Sequence, residues 1–312
     1  MILTPERYAE VTQPGACYVV RWVPCHPRDQ DKSSCEAGFF SLFIRALYGI
    51  RFATQYNLPY HIDYGHMPYS YSDPGRFEGN ANFWNYYFVQ PIPLFPSTQI
   101  SVINTPYETF PLRIWNRSFS RQMHEIICEH IKLRPNVASL VQEKKERFNN
   151  AKVLGVHIRR TDHPGEVEPV ALSVFKRTVH REIRNYDKVF VATDDLPTLE
   201  EMVKEFGPLI IHNDVKRSTN GSPVHRLHPE EGRYELGLDA LLDCYCLSFC
   251  QKAILLHSNL SYASLLLNPG LDYTILETSK HRNLRIKTSS VYYLDKWIPY
   301  PKRKVKKTSL IR

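Results

Sequence analysis

The stretch Lys152-Val153-Leu154-Gly155-Val156-His157-Ile158-Arg159-Arg160-Thr161-Asp162-His163 decides the fold. Val153, Leu154, Val156 and Ile158 make a short branched-aliphatic run, which predicts a buried strand. The run stops abruptly at Arg159, Arg160 and Asp162. Burying unpaired charge is costly, so such an ending needs a reason. In open α/β sheets the usual reason is a ligand in the crevice beyond the strands' carboxyl ends. Two neighbouring guanidinium groups suit an anion, because each offers parallel donors to phosphate oxygens. Taken alone, the motif also fits a solvated strand end in which an arginine pairs with Asp162. The rest of the chain decides between the two.

From 152 onward the pattern alternates. Strands are predicted at 152–158, 188–193, 209–212, 252–257 and 273–276, and helices at 170–186, 196–206, 234–250 and 261–267. Residues 214–232, with Asn220-Gly221 and Pro223, read as a mobile polar loop. Strict alternation implies a parallel sheet covered on both faces. A parallel sheet gathers its strand ends on one edge, here Arg159-Arg160, Thr193-Asp194-Asp195 and His257-Ser258-Asn259. Each has a local explanation: Asp194-Asp195 precedes Pro197 as a helix N-cap would, and Ser258 or Asn259 suits the same role. A helix start also offers free N–H groups to a phosphate.

The first half repeats the theme once. A strand is predicted at 17–23, a loop at 24–37, a helix opening at Gly38-Phe39-Phe40-Ser41 and running to about 57, and a strand at 59–63 ending in Asp63. Gly38 belongs to no GxGxxG pattern, so a dinucleotide fingerprint is absent. Residues 64–98 are rich in aromatics and proline, with Asp63, Asp73 and Glu78 available for hydrogen bonding. Their aromatic side chains suit either sugar-stacking platforms or packing against the N-terminal half. Two helices broken near Pro135 are predicted over 117–148.

The 312 residues allow about two domains, placed at 1–150 and 151–280, with 281–312 as an extension carrying a basic tail. The net charge of +8 favours anionic partners. Part of it sits in Lys302-Arg303-Lys304-Val305-Lys306-Lys307, read as a solvated end with weak attraction for acidic lipid headgroups. No pattern of a nucleic-acid-binding module is present, and no nucleic-acid partner is expected. The 7 cysteines show no disulfide spacing. Cys244, Cys246 and Cys250 lie in a helical apolar pattern without a second ligand set, so reduced thiols and no metal site are expected. No apolar run approaches the roughly 18 residues of a membrane span, and the N-terminus lacks a signal-peptide core. A soluble, cytoplasmic protein is the expectation.

Three segments together resemble the fucosyltransferases of the α-1,6 and protein-O superfamily, including core α-1,6 and nodulation enzymes. Gly155-Val156-His157-Ile158-Arg159-Arg160-Thr161-Asp162 is similar to that family's G-V-H-V-R-R-T-D. Val191-Ala192-Thr193-Asp194-Asp195 is similar to its A-T-D-D, and the segment from Leu241-Leu242-Asp243 through Leu247-Ser248 to His257-Ser258-Asn259 to its third motif. The specific motifs cover about residues 152–265; the first half matches loosely, through Gly38-Phe39-Phe40-Ser41. The resemblance implies an α/β, GT-B-like fold of two Rossmann-like domains facing across a cleft. It implies an inverting, metal-independent transfer of fucose from GDP-fucose to a hydroxyl of a glycan or glycoconjugate, with no further cofactor. By position, Arg159 would hold the β-phosphate, with Arg160 supporting the same group or the fold beneath it. His157 and Asp243 would meet the guanosine, and Asp162, Asp194 and Asp195 would lie near the nucleotide. Ser258 and Asn259 would bind phosphate at a helix start.

The base is where this chain departs from the family. His163 stands where the α-1,6 enzymes have lysine, and Val167 replaces their acid, flanked by Glu166 and Glu168. Glu166 or Glu168 would serve after a small loop shift, or Asp63 or Glu78 from the other half. Two other readings stay open here: transfer from another nucleotide-activated deoxysugar, since guanidinium groups read the diphosphate and not the sugar, and a non-enzymatic basic binder of nucleic acid or membrane surface.

Overall fold

The computed structural model describes residues 16–21, 37–92, 99–101, 113–148, 150–161, 169–222, 232–283 and 285–287, with positions 9, 13, 35, 224 and 290. Asp162, His163, Glu166, Val167, Glu168 and the tail 301–312 lie outside the described residues.

The first half contains β1 (Ala16–Val20), α1 (Phe39–Gln55), β2 (Tyr60–Ile62), the one-turn α2 (Trp84–Tyr87), β3 (Gln99–Ser101), α3 (Arg117–His130) and α4 (Pro135–Glu146). Its three strands are parallel in the order β2-β1-β3. The short β3 was not anticipated, because a stretch flanked by prolines shows no alternation to read.

The second half contains β4 (Val153–Ile158), α5 (Leu172–Glu182), β5 (Lys188–Thr193), α6 (Leu196–Phe206), β6 (Ile210–Ile211), α7 (Arg233–Phe249), β7 (Lys252–Leu256), α8 (Asn259–Leu267) and β8 (Asp272–Leu276). All five strands are parallel, in the order β6-β5-β4-β7-β8. The α/β class and the alternation expected from residue 152 are both observed. From β4 the chain builds outward through β5 and β6, then returns to β7 and β8 on β4's other side. The resulting switch point opens a crevice beyond the carboxyl ends of β4 and β7.

Strand periodicity sets the faces of the sheet. Leu154, Val156 and Ile158 pack with Phe175, Val179, Leu199 and Met202 beneath α5 and α6. Val153 belongs instead to a second cluster that runs without a break into the first half, joining Phe39, Trp84 and Tyr87 to Tyr234, Leu241 and Leu247. At that junction Tyr87 stacks on Tyr234 with centroids 5.3 Å apart and donates its hydroxyl to the Tyr234 carbonyl at 2.8 Å. Gly237 permits the approach: a Cβ there would lie 2.2 Å from the Tyr87 Oη.

The aromatics of 64–98 are mostly core. Tyr64, Tyr69, Trp84, Tyr86, Tyr87 and Phe88 are buried and pack on one another and on α1, so they form no open sugar platform. The described part of 214–232 is tied down where a mobile loop was expected. Ser218 bridges Asp195, donating its N–H to the Asp194 carbonyl at 2.8 Å and accepting from Leu196 N at 2.8 Å. No helix among the described residues is long and apolar enough to cross a membrane.

Candidate functional site

A cavity of about 160 Å³, open to solvent, lies where the two halves meet. The first half contributes the start of α1, Gly38 to Ser41, and Tyr71. The second half contributes His157 and Arg159 from the end of β4, Thr193 and Asp194 from the end of β5, and Asn259 and Leu260 from the start of α8. One face of α7 completes the wall with Leu236, Asp239, Ala240 and Asp243, the spacing of a single helical stripe. Among the described residues no group of three His, Cys, Asp or Glu side chains is placed to hold a metal ion.

Two helix N-termini therefore meet one arginine at this cavity. The first-turn N–H groups of a helix lack intrahelical acceptors and carry partial positive charge. The first turn of the 17-residue α1 contains no acid to offset that charge. At α8 the Ser258 hydroxyl caps the helix, accepting from Ser261 N at 3.1 Å. Ser258 is thus a buried structural cap off the cavity wall, while Asn259 stands on it. Asn259 Oδ1 accepts from Arg113 Nη1 at 2.7 Å, which brings a guanidinium from the first half to the mouth of α8. Only the tertiary fold reveals Arg113, since it sits 146 residues from its partner.

His157 is buried and its Nδ1 lies 2.7 Å from Ser261 Oγ and 3.4 Å from Ser258 Oγ, which fixes the ring against the start of α8. The neighbouring His257 lies off the wall, packed on Trp115 and His281, and burial pushes its pKa down to about 4.

The strand-end acids divide their work. Asp194 Oδ1 accepts from Arg160 N at 2.9 Å, and its Oδ2 accepts the Thr161 hydroxyl at 2.7 Å. Asp194 thus shapes the loop leaving β4 while facing the cavity. Asp195 departs from the expectation. It is buried as the N-cap of α6, accepting from Thr198 N at 3.0 Å and Thr198 Oγ1 at 2.6 Å, and takes no part in the wall. Arg160 is half-buried and also off the wall; its contribution there is its backbone.

On α7, Asp243 is buried and accepts from Asn213 Nδ2 at 2.8 Å. Burial pushes its pKa up to about 7, against the pull of Asn213 and Arg217. Asp239, one turn earlier, accepts from Lys216 N at 3.3 Å, and burial raises its pKa to about 6. Arg217 braces this wall through backbone carbonyls, donating to Thr193 O at 3.2 Å and Asn213 O at 2.8 Å. Asp239, Asn213 and Arg217 went unseen in the sequence. Asp239 alone carried a signal, sitting four residues before Asp243 on the same helical stripe.

Gly38 is on the wall, in extended backbone with φ −64° and ψ 154°. Asp63 is not: its carboxylate pairs with Arg21 at 2.7 Å and accepts from Gly65 N at 3.0 Å. Glu78 is exposed and likewise off the wall. Glu166, Glu168 and Asp162 fall outside the described residues.

No family model matches the chain, and no curated protein matches it. Among solved structures it is similar to the fucosyltransferase NodZ from Bradyrhizobium, with 17% identity over 84% of this chain and 95% of that one, at a TM-score of 0.49. It is similar to a mutant of Arabidopsis thaliana FUT1 in complex with GDP, with 12% identity over 86% of this chain and 72% of that one, at a TM-score of 0.46. It is also similar to the apo-form of POFUT1, with 12% identity over 87% of this chain and 77% of that one, at a TM-score of 0.38.

Proposed function

We propose that the cavity binds GDP-fucose and that the protein transfers fucose from it to a hydroxyl of a glycan or glycoconjugate, with inversion and without a metal ion. One observation carries the reading: Arg159, the start of α1 and the start of α8 share a cavity with the Asp239–Asp243 stripe of α7. The first group suits a diphosphate, because guanidinium and helix N–H donors neutralise phosphate charge. The second suits guanine, whose N1–H and exocyclic amine present two adjacent donors to one carboxylate. Adenine and uracil lack that donor pair.

The chemistry follows from the charge. As the bond between the sugar's anomeric carbon and the β-phosphate oxygen breaks, negative charge grows on the diphosphate. Donors fixed in place before the reaction stabilise that charge without having to reorganise. Arg159 supplies the formal charge, and α1 and α8 supply aligned peptide dipoles. Attack from the face opposite the departing GDP inverts the anomeric centre. The three motifs around Arg159, Asp194 and Asp243, similar to those of fucosyltransferases, favour fucose as the donor sugar. Transfer of another GDP-linked deoxysugar is the second reading, since nothing in the diphosphate contacts selects the sugar.

Calorimetry with GDP, GMP, ADP and UDP, followed by a GDP-fucose turnover assay in EDTA, tests the proposal. GDP should bind at least about tenfold more tightly than GMP or UDP, and turnover should persist in EDTA. Equal affinity for all four nucleotides overturns the assignment.

A further inference from the structure

The segment Arg113-Ile114-Trp115 belongs to the first half, yet it is fastened to α8 of the second. Ile114 is fully buried, and its carbonyl accepts the Tyr262 hydroxyl at 3.1 Å. Trp115 packs on two rings of the second half, with its centroid 5.2 Å from that of Tyr262 and 5.1 Å from that of His257. The helix α3 that follows adds a further tie, where His124 Nδ1 lies 2.9 Å from the Leu266 carbonyl oxygen. A carbonyl oxygen only accepts, so that ring nitrogen donates. Strapped in this way, the backbone gives the Arg113 side chain a fixed starting point beside the start of α8.

From there Arg113 Nη1 donates to Asn259 Oδ1 at 2.7 Å. A guanidinium only donates, so the amide atom facing it is the oxygen. The nitrogen of that planar amide points elsewhere, and it makes no hydrogen bond among the described residues. Asn259 stands on the cavity wall, whereas Arg113 does not. The bond to Arg113 therefore decides which end of the amide a ligand meets: a donor, not an acceptor. Asn259 is also the first residue of α8, so its Nδ2 joins the unpaired first-turn N–H groups there. An anion gains from donors alone, and an amide turned the other way would present its oxygen. The guanidinium charge is felt at the same place: burial first, and then Arg113, push the adjoining His257 down to about 4.

We infer that Arg113 is a positioning residue of the donor site, orienting the Asn259 amide so that Nδ2 donates to the diphosphate of the nucleotide. This rests on reading the cavity as the site of a GDP-linked sugar. Arg113 acts through Asn259, which makes the contact. As the sugar bond breaks and charge grows on the diphosphate, a donor already turned toward it stabilises that charge without first rotating. The link also makes the donor site a joint product of both halves, since a donor on α8 is aimed by a residue 146 positions away.

Calorimetry with GDP on the parent, Arg113→Met, Asn259→Ala and their double variant tests the link. Each single change should raise the Kd for GDP about tenfold, the effect of losing one hydrogen bond to a charged group. Acting through one bond, the pair should be coupled: the double variant should stay within about threefold of the weaker single variant, where independent effects would multiply to about 100-fold. A multiplied loss overturns the link, and an Arg113→Met protein that binds GDP as the parent does overturns the role. Guanosine, which carries no phosphate, should bind all four proteins alike; an equal loss for guanosine reduces Arg113 to a support of the fold and overturns its part in diphosphate binding. Asn259→Asp covers the case in which loss of Arg113 impairs folding. Its carboxylate still accepts from Arg113, so Tm should not fall, yet it sets an oxygen where Nδ2 stands. The Kd for GDP should then rise about 100-fold or more, beyond the loss in Asn259→Ala, because like charges face each other. Parent-like GDP binding in Asn259→Asp overturns the orientation of the amide. A parent protein that fails to bind GDP overturns the donor reading itself, whereas equal binding by parent and variants overturns the role of Arg113 alone.

Discussion

Asp194 Oδ2 accepts the Thr161 hydroxyl at 2.7 Å while Oδ1 accepts the Arg160 N–H at 2.9 Å. The acid that ends β5 therefore holds the backbone that leaves β4, and with it the placement of Arg159. An acid beside the proposed diphosphate site would otherwise repel the ligand; here its charge is spent on three donors, including Thr161 N at 3.4 Å.

Replacing Asp194 should consequently act through geometry. Asp194→Ala should weaken GDP binding about 10- to 100-fold and lower stability by about 1–3 kcal/mol, since buried donors are left without acceptors. Asp194→Asn should fall between, because its amide nitrogen faces donors. Tighter GDP binding in Asp194→Ala, measured by calorimetry, would show that charge repulsion dominates.

Arg159→Ala should reduce GDP-fucose turnover about 10²- to 10³-fold, the effect of removing one fixed donor from a developing anion. Arg159→Lys should recover only part, because an ammonium cannot present the two parallel donors of a guanidinium. Steady-state kinetics with full activity in either variant would remove Arg159 from the site.

The acids of α7 should make stability and GDP binding move oppositely with pH. Burial raises the Asp243 pKa to about 7 and that of Asp239 to about 6, above the unfolded value of about 4. Below about pH 4 both states hold these protons. Between about pH 4 and 7 the unfolded chain loses them first, so folded stability falls as pH rises. Asn213, Arg217 and Lys144 favour the ionised form of Asp243, which limits the fall to a few kcal/mol on the order of the shift itself. Asp243→Asn should flatten the Tm profile over this range and raise Tm at pH 8. If the ionised carboxylate accepts the guanine donors, GDP affinity should rise from pH 6 to 8 with proton release. Calorimetry in buffers of different ionisation enthalpy measures that release; none at pH 6 would detach Asp243 from the base.

Gly38 has nothing within 4 Å of where a Cβ would sit, and its φ and ψ suit any residue. Gly38→Ala should therefore leave Tm unchanged within about 1 °C. A methyl group there nevertheless projects where backbone and phosphate would approach closely, so GDP affinity should drop about tenfold or more. Unchanged affinity in thermal-shift titration would place the diphosphate elsewhere.

Gly237 is the opposite case. Its missing Cβ makes room for the Tyr87 ring, which is fully buried and bonded to the Tyr234 carbonyl. Gly237→Ala should cost about 1–3 kcal/mol, the usual effect of overpacking a rigid core. Gly237→Ala/Tyr87→Phe, which frees the space of the hydroxyl, should recover part of that loss in urea melts. No recovery would mean that the helix itself, not Tyr87, resists the methyl group.

Local pattern was enough for much of this molecule. Alternating strands and helices from residue 152, the boundaries of β5 and α6, and the polar ends of β4, β5 and β7 all follow from hydrophobic period and from polar residues where a period stops. Those features lie within a few residues of one another, so the chain displays them before it folds. Only the tertiary structure decided which strand-end groups face the cavity and which cap helices: Asp194 and Asn259 went one way, Asp195 and Ser258 the other. It also brought Arg113 to Asn259 across 146 residues and Asn213 to Asp243 across 30, and it buried the aromatics of 64–98 against α1. Such pairings arise from how the sheets and helices pack in three dimensions, and no periodicity along the chain encodes a partner that distant.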